Sequence, residues 1–356
     1  MRVMTQSKDD QASQLDSFRE DVLFGLARLR KALPSRWLYD ARGCELFEQI
    51  TRVDDYYPTR TETAILRAHA KGLRAFCGAH STVVEYGAGA AIKTEILLDA
   101  LKSPDAYVPI DIAGEFLVAT VARLKNRFPH LPMRPVIVDF TRDFDIPAQP
   151  DADGDRVAFF PGSTIGNLDH AEAAALLGRM RRHVGSGGRA VIGFDLIKNV
   201  STLIDAYDDS EGITAVFNLN LLERMNRELD GAFPLERFMH EVRWNPIERA
   251  MEMHLVSLDR RVVEVAGKAF EFRAQETIHT ESSRKYTLPE IRAMASRANW
   301  VVEHAWMDDA CGFAVVGMRA LSLAVEPSRA TWSKPDFSRG RGAPELGFHR
   351  GVNGHL

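Results

Sequence analysis

The sequence predicts an α/β protein: a parallel sheet alternating with helices, joined to a second, α+β domain. Two patterns carry this prediction. From Thr82 onward, apolar runs at 82–86, 106–110, 134–138, 156–160 and 189–194 are separated by helical stretches or turns, the alternation that builds a parallel sheet. After Lys198 the character changes. Residues 199–238 are helical and carry Asn218, Asn220 and Asn226. Residues 241–280 alternate with period two, broken near Asn245-Pro246, Asp259 and Gly267, which predicts antiparallel strands. At 356 residues the chain also exceeds the roughly 250–300 at which single cores stop growing, so two domains are expected.

The elements follow in order. Residues 1–12 read as a disordered lead. Leu15, Phe18, Val22, Leu26, Leu29 and Leu33 recur at steps of three and four, an amphipathic helix stopped by Pro34. Trp37 to Gly43 is aromatic, charged and glycine-broken, and a short helix passes through Leu46, Phe47 and Ile50. Thr59 with Glu62 predicts a capping box, and Ile65, Leu66, His69 and Leu73 carry that helix onward. A helix over 171–183 ends at Gly185-Ser186-Gly187-Gly188. Thr287 with Glu290 forms a second capping box, opening a helix to Ala298. Strands at 300–306 and 312–318 are expected to return to the main sheet. From Pro327 the tail is rich in Ser, Arg, Gly and Pro and reads as disordered.

Composition excludes several function classes. A formal charge of −4 argues against a general nucleic-acid binder. Cys44, Cys77 and Cys311 are odd in number and lack metal-type spacing, which fits a reduced, cytoplasmic setting. The polar N-terminus has no apolar signal core, and no run reaches the ~18 apolar residues a membrane span needs. Asp208-Asp209 has no His or Cys at ligand spacing, and there is no H-E-x-x-H, so no metal site is expected.

The stretch Val83 to Thr94 organises the chain. An apolar run ends at Glu85, Gly87 and Gly89 turn the backbone, and a helical pattern (Ile92, Ile96, Leu97, Leu101) follows. That geometry lets backbone come close to a nucleotide, although an ordinary βα turn has the same pattern. A dinucleotide fingerprint wants a third glycine where this chain has Ile92, so a pyrophosphate is disfavoured. Glu85 and Asp111, the latter ending the next strand, suit a cation with ribose hydroxyls, and S-adenosyl-L-methionine offers both.

Asp139-Phe140 closes another strand, where an acid and a ring suit an adenine amine and face. A turn acid beside a core phenylalanine is the competing explanation. Pro161 to Asn167 misses the G-x-S-x-G spacing of a nucleophile elbow, because Ser163 directly follows Gly162. It reads as a binding loop in which Asn167 donates to a carboxylate or accepts from an ammonium, or else caps a helix.

The segments 35–62, 160–167, 206–228 and 278–286, together with the glycine loop, resemble the histidine-specific N-methyltransferase family. Tyr56-Tyr57-Pro58-Thr59-Arg60-Thr61-Glu62 and Gly162-Ser163-Thr164-Ile165-Gly166-Asn167 are its most diagnostic motifs here. The resemblance covers about residues 14–320. It implies a Rossmann-like class I methyltransferase sheet (60–198 and 287–320) with an α+β substrate-binding domain (13–59 and 199–286), and a disordered tail at 321–356.

The resemblance further implies that Gly87, Lys93, Asp111, Asp139 and Phe140 hold S-adenosyl-L-methionine. Asn167 and Tyr207 would hold the carboxylate of L-histidine, and Glu281 and Ser283 would read its imidazole beside Tyr56. Phe47, Gly162 and Met253 would line the pocket, and Tyr39 would contact the reacting amine as the catalytic residue. The implied enzyme is a cytoplasmic monomer that trimethylates the α-amine of histidine on the way to ergothioneine. Another amino acid or alkaloid amine, or a non-catalytic binding module on the same fold, are the alternatives.

Overall fold

A computed structural model of the chain describes residues 8–146 and 155–322, with side chains from residue 12 onward. The N-terminal part comprises α1 (Lys8–Ala27), β1 (Lys31–Ala32), α2 (Ala41–Ile50), α3 (Tyr57–Ala68) and α4 (Ala70–Cys77). The alternating region supplies β2 (Ser81–Tyr86), α5 (Ile92–Leu101), β3 (Ala106–Asp111), α6 (Gly114–Arg127), β4 (Val136–Ile137), β5 (Asp155–Phe160), α7 (His170–Val184) and β6 (Arg189–Asp195). Then come α8 (Val200–Tyr207), α9 (Ile213–Glu228), β7 (Phe238–Asn245), β8 (Ala250–Ser257), β9 (Arg261–Val265), β10 (Lys268–Phe272) and β11 (Thr277–Arg284). The chain closes with α10 (Leu288–Arg297), β12 (Trp300–Met307) and β13 (Phe313–Ala320).

Seven strands form one sheet in the order β12-β13-β6-β5-β2-β3-β4. The five from β6 to β4 run parallel, and β13 and β12 join antiparallel. Successive residues face opposite layers. Val84, Tyr86, Val108, Ile110, Ala158 and Phe160 pack with α7 and α10, whereas Val83, Tyr107, Val157 and Phe159 pack with α3 to α6. Because β2 has β3 on one side and β5 on the other, the chain reverses direction across the sheet there. The crevice at such a switch point is where ligands settle, and here it is flanked by the loops after β2 and β5.

A four-stranded sheet, β1-β11-β8-β7, and the β9–β10 hairpin pack with α1, α2, α8 and α9 around a separate apolar core. Met251, Met253 and Leu255 of β8 all point into it, as their alternation predicts. The ends of β6 and β11 meet. Leu196 bridges Tyr286, and Tyr286 N–H donates to the Asp195 carbonyl at 3.0 Å. The described part of the chain up to Ser322 is one compact unit.

Three expectations need correction. The first helix already runs from Lys8, inside the expected lead, and stops at Ala27 rather than at Pro34; residues 1–7 lie outside the described residues. The chain turns early because Lys31-Ala32 pairs with Ile278-His279 of β11, which leaves Leu29 exposed. Gly25 permits the turn, since a Cβ there would lie 2.1 Å from the Ala32 carbonyl oxygen. The strand expected at 134–138 shrinks to Val136–Ile137. The Thr59–Glu62 capping box does not form: α3 starts at Tyr57, and Glu62 is buried. Glu85 lines the larger cavity and accepts at Oε2 from Thr94 at 2.6 Å and from Tyr107. The Thr287–Glu290 box does form, and the expected tail from residue 323 lies outside the described residues.

Candidate active site

Two neighbouring cavities open at the switch point. The larger, about 1370 Å³ including its open mouth, is lined by Gly87, Lys93, Asp111, Asp139 and Phe140. The smaller, about 470 Å³ on the same measure, is lined by Tyr56, Gly162, Asn167, Tyr207, Met253, Glu281 and Ser283. Tyr39, Phe47, Tyr56, Gly162, Thr164 and Asn167 line both, so they form the junction. Every residue that the sequence nominates for cofactor or substrate thus faces one of two joined spaces.

The larger cavity is shaped by the loop after β2. Gly87 and Gly89 adopt positive φ, and a Cβ on Gly87 would lie 3.3 Å from the Phe140 ring, taking up space beside it. Asp111 is gripped by backbone: Gly89 N–H donates to Oδ2 at 3.0 Å and Ala113 N–H to Oδ1 at 2.9 Å. Burial pushes the Asp111 carboxyl up, against the pull of those two N–H groups. Asp139 Oδ1 accepts from the Thr141 N–H at 2.9 Å and hydroxyl at 2.6 Å, and its Oδ2 lies 3.7 Å from Arg36. Phe140 stands edge-on to Phe160, with ring centroids 5.5 Å apart. These groups fit S-adenosylmethionine: two acids for hydroxyls and an exocyclic amine, a ring face, and the Lys93 ammonium for a carboxylate.

In the smaller cavity, Glu281 Oε1 accepts from Asn167 Nδ2 at 2.9 Å and from the Tyr39 hydroxyl at 3.3 Å. Burial raises the Glu281 carboxyl to about 7, although Tyr39 and Lys285 act to lower it. Tyr39 is raised well above the usual phenol range, first by burial and then by the Glu281 charge, so it stays protonated. Tyr207 donates to Ser283 at 2.6 Å. The pocket's apolar walls come from Phe47, Phe217, Ile50 and Met253. Among the described residues no cluster of three or more His, Cys, Asp or Glu could hold a metal, and no helix is long and apolar enough to cross a membrane.

Sequence reasoning missed two groups. Glu62 Oε2 accepts from Gly162 N–H at 2.8 Å and pairs with Lys93 Nζ at 2.6 Å, tying α3 to both ligand loops. Its position in phase with Ile65 and Leu66 was the available signal of an acid on a buried helix face. The second is Lys285, which reaches Tyr207, Ser283 and Asp195. Its signal was alternation, since 285, the residue after the end of β11, continues the spacing of the buried Glu281 and Ser283.

Residues 18–320 match the model of a family described as "Histidine-specific methyltransferase, SAM-dependent". A histidine N-alpha-methyltransferase of Mycolicibacterium smegmatis is 38% identical over 319 residues, covering 88% of this chain and 96% of that protein. That of Mycobacterium tuberculosis is 37% identical over 316 residues, covering 87% and 95%. Ergothioneine biosynthesis protein 1 of Neurospora crassa is 28% identical over 310 residues, which cover 84% of this chain and 34% of that longer protein. With matches of this extent, laid over a switch-point crevice that suits a sulfonium nucleoside, the chain belongs to the histidine-specific, S-adenosylmethionine-dependent methyltransferase family.

Proposed function

We propose that the protein transfers methyl groups from S-adenosylmethionine to the α-amine of L-histidine, giving Nα,Nα,Nα-trimethylhistidine (hercynine) for ergothioneine biosynthesis, and that it acts as a cytoplasmic monomer. The observation that carries the substrate is the smaller cavity: a buried carboxylate, Glu281, on the same strand face as the Ser283 hydroxyl. An imidazole offers one N–H and one lone pair, which such a pair can satisfy together. In this proposal 13–59 and 199–286 form the substrate-binding domain and 60–198 and 287–320 the methyltransferase domain, a division supported by their separate apolar cores.

Gly87, Lys93, Asp111, Asp139 and Phe140 are assigned to the cofactor, which supplies an electrophilic methyl on sulfonium when bound. Asn167 and Tyr207 are assigned to the substrate carboxylate, Glu281 and Ser283 to the imidazole, with Tyr56, Gly162 and Met253 shaping the pocket. Tyr39 keeps its proton and donates it to Glu281, so a lone pair on its oxygen is left to accept an amine N–H. That contact would turn the nitrogen lone pair toward the larger cavity. The amine must be neutral to react, and its protons leave to solvent through the open mouth. Holding carboxylate and ring fixes the nitrogen, and such orientation is worth several kcal/mol, up to roughly 7–11 in the best intramolecular cases.

The test is incubation with S-adenosylmethionine and each standard amino acid, followed by mass analysis. One to three added methyls on histidine are expected, and silence on histidine would sink the proposal. Glu281→Ala should raise the KM for histidine and leave cofactor binding unchanged, while Asp111→Ala should weaken cofactor binding. Equal losses of both ligands in either variant would contradict these assignments.

A further inference from the structure

Lys285 takes no part in the chemistry above, yet its side chain is 0% exposed and all three of its N–H donors are used. They reach Asp195 Oδ2 at 2.8 Å, Tyr207 Oη at 2.9 Å and Ser283 Oγ at 2.9 Å. Asp195 is buried as well. It also accepts from Tyr57 at 2.7 Å and pairs with Lys198 at its other oxygen. One carboxylate thus holds two ammoniums, Lys198 and Lys285, behind the smaller cavity.

An ammonium only donates, so every group it touches must accept. With Lys285 behind both hydroxyls, the protons of Tyr207 and Ser283 have to point away from it. In the structure Tyr207 donates to Ser283 at 2.6 Å, which fills the second lone pair of Ser283 and sends the Ser283 proton toward the cavity. The phenol, as the stronger acid, is the natural donor of the two. A ligand carboxylate at Tyr207 would draw the phenol proton to itself, with Lys285 still holding both oxygens from the rear. With the phenol proton on the carboxylate, the Ser283 proton has either a ring lone pair or the Tyr207 oxygen as its acceptor, and Lys285, already donating to that oxygen, favours the ring. Glu281, two residues back on the strand, accepts.

We propose that Lys285 is a positioning residue for substrate selection: held on Asp195, it turns Tyr207 and Ser283 into donors, so the pocket takes a ring that carries a lone pair as well as an N–H. The inference rests on histidine being the substrate. A neutral imidazole satisfies Glu281 and Ser283 together. A pyrrole or indole has only the N–H and leaves the Ser283 proton only the Tyr207 oxygen, on the side where Lys285 already donates, which is the kind of mismatch a polar site disfavours.

The experiment compares kcat/KM for histidine with that for 3-pyrrolylalanine, in which one ring nitrogen is replaced by C–H. The wild type should prefer histidine strongly. In Lys285→Met the Ser283 hydroxyl is free to turn and accept, so the preference should fall by about tenfold, the worth of a hydrogen bond or two. Binding of S-adenosylmethionine to the same variant should be unchanged, which reports that it is folded. If Lys285→Met does not fold, Lys285→Gln, whose amide can donate to Asp195 and accept from Ser283, should lower the preference in the same way. A folded variant that loses activity on both substrates equally, with the ratio intact, overturns the proposal. Wild-type protein inactive on histidine overturns the substrate assignment instead, and this inference with it.

Discussion

Glu281 is held between Asn167 and Tyr39, and its burial decides how the site responds to pH. A carboxyl raised to about 7 is protonated below that pH and an anionic acceptor above it. If Glu281 reads the imidazole N–H, the KM for histidine should fall as pH rises from about 6 to about 8. Glu281→Gln should have a higher KM at pH 8 and should lose that component of the profile. Titration of the substrate is common to both enzymes and cancels in the comparison. Parallel profiles for the two proteins would show that the carboxyl does not govern binding.

At the scale of elements, the site depends on how closely the turn Thr164–Asn167 approaches β11. Gly166 makes that approach possible: a Cβ there would sit 2.8 Å from the Arg284 carbonyl oxygen and 3.1 Å from its nitrogen. Both are backbone atoms, which cannot swing aside. Gly166→Ala should therefore push Asn167 away from Glu281 and raise the KM for histidine by on the order of tenfold, about 1.4 kcal/mol. Cofactor binding, whose assigned contacts Gly87, Lys93, Asp111, Asp139 and Phe140 lie outside this turn, should change less than histidine binding. Crystallographic coordinates of the variant with the Asn167–Glu281 bond intact would refute this. Glu62 shows the same dependence in α3, where one carboxylate orders the Gly162 loop and Lys93 together.

For the whole molecule, two buried acids set the direction of the stability profile. Glu85 is raised to about 8 by burial, which outweighs its bonds from Thr94 and Tyr107, and Glu281 is raised to about 7. Each folded-state value lies above the ordinary 4.5 of an exposed glutamate, so between that pH and the raised value the folded chain binds more protons than the unfolded one. Their contribution is fully present below the unfolded value. It declines with rising pH, by up to roughly 1.4 kcal/mol per unit for each group. Glu85→Gln removes one of them, so the Tm difference between variant and wild type should shift in the variant's favour from pH 5 to pH 8. A difference that is constant with pH would contradict the shifted value.

Adjacent residues determined a good deal by themselves. The parallel strands, the glycine turn after β2 and the Thr287–Glu290 cap are specified within a few positions of chain, by alternation, by φ freedom and by local hydrogen bonds, and all three appear in the fold. The Thr59–Glu62 pattern carries the same local signal and fails. A tertiary demand wins there, because Glu62 meets Gly162, 100 positions away. The partners in the smaller cavity are likewise remote: Tyr39 and Glu281 are 242 positions apart, and Lys285 finds Asp195 only because the chain just after β6 meets the chain just after β11. Most of the polar residues that line the two cavities were legible in the sequence, whereas Glu62 and Lys285, which hold them from behind, were not. Which charges share a buried space, and so which way their protons point, was decided by the tertiary structure, because burial and pairing exist only once distant strands are brought together.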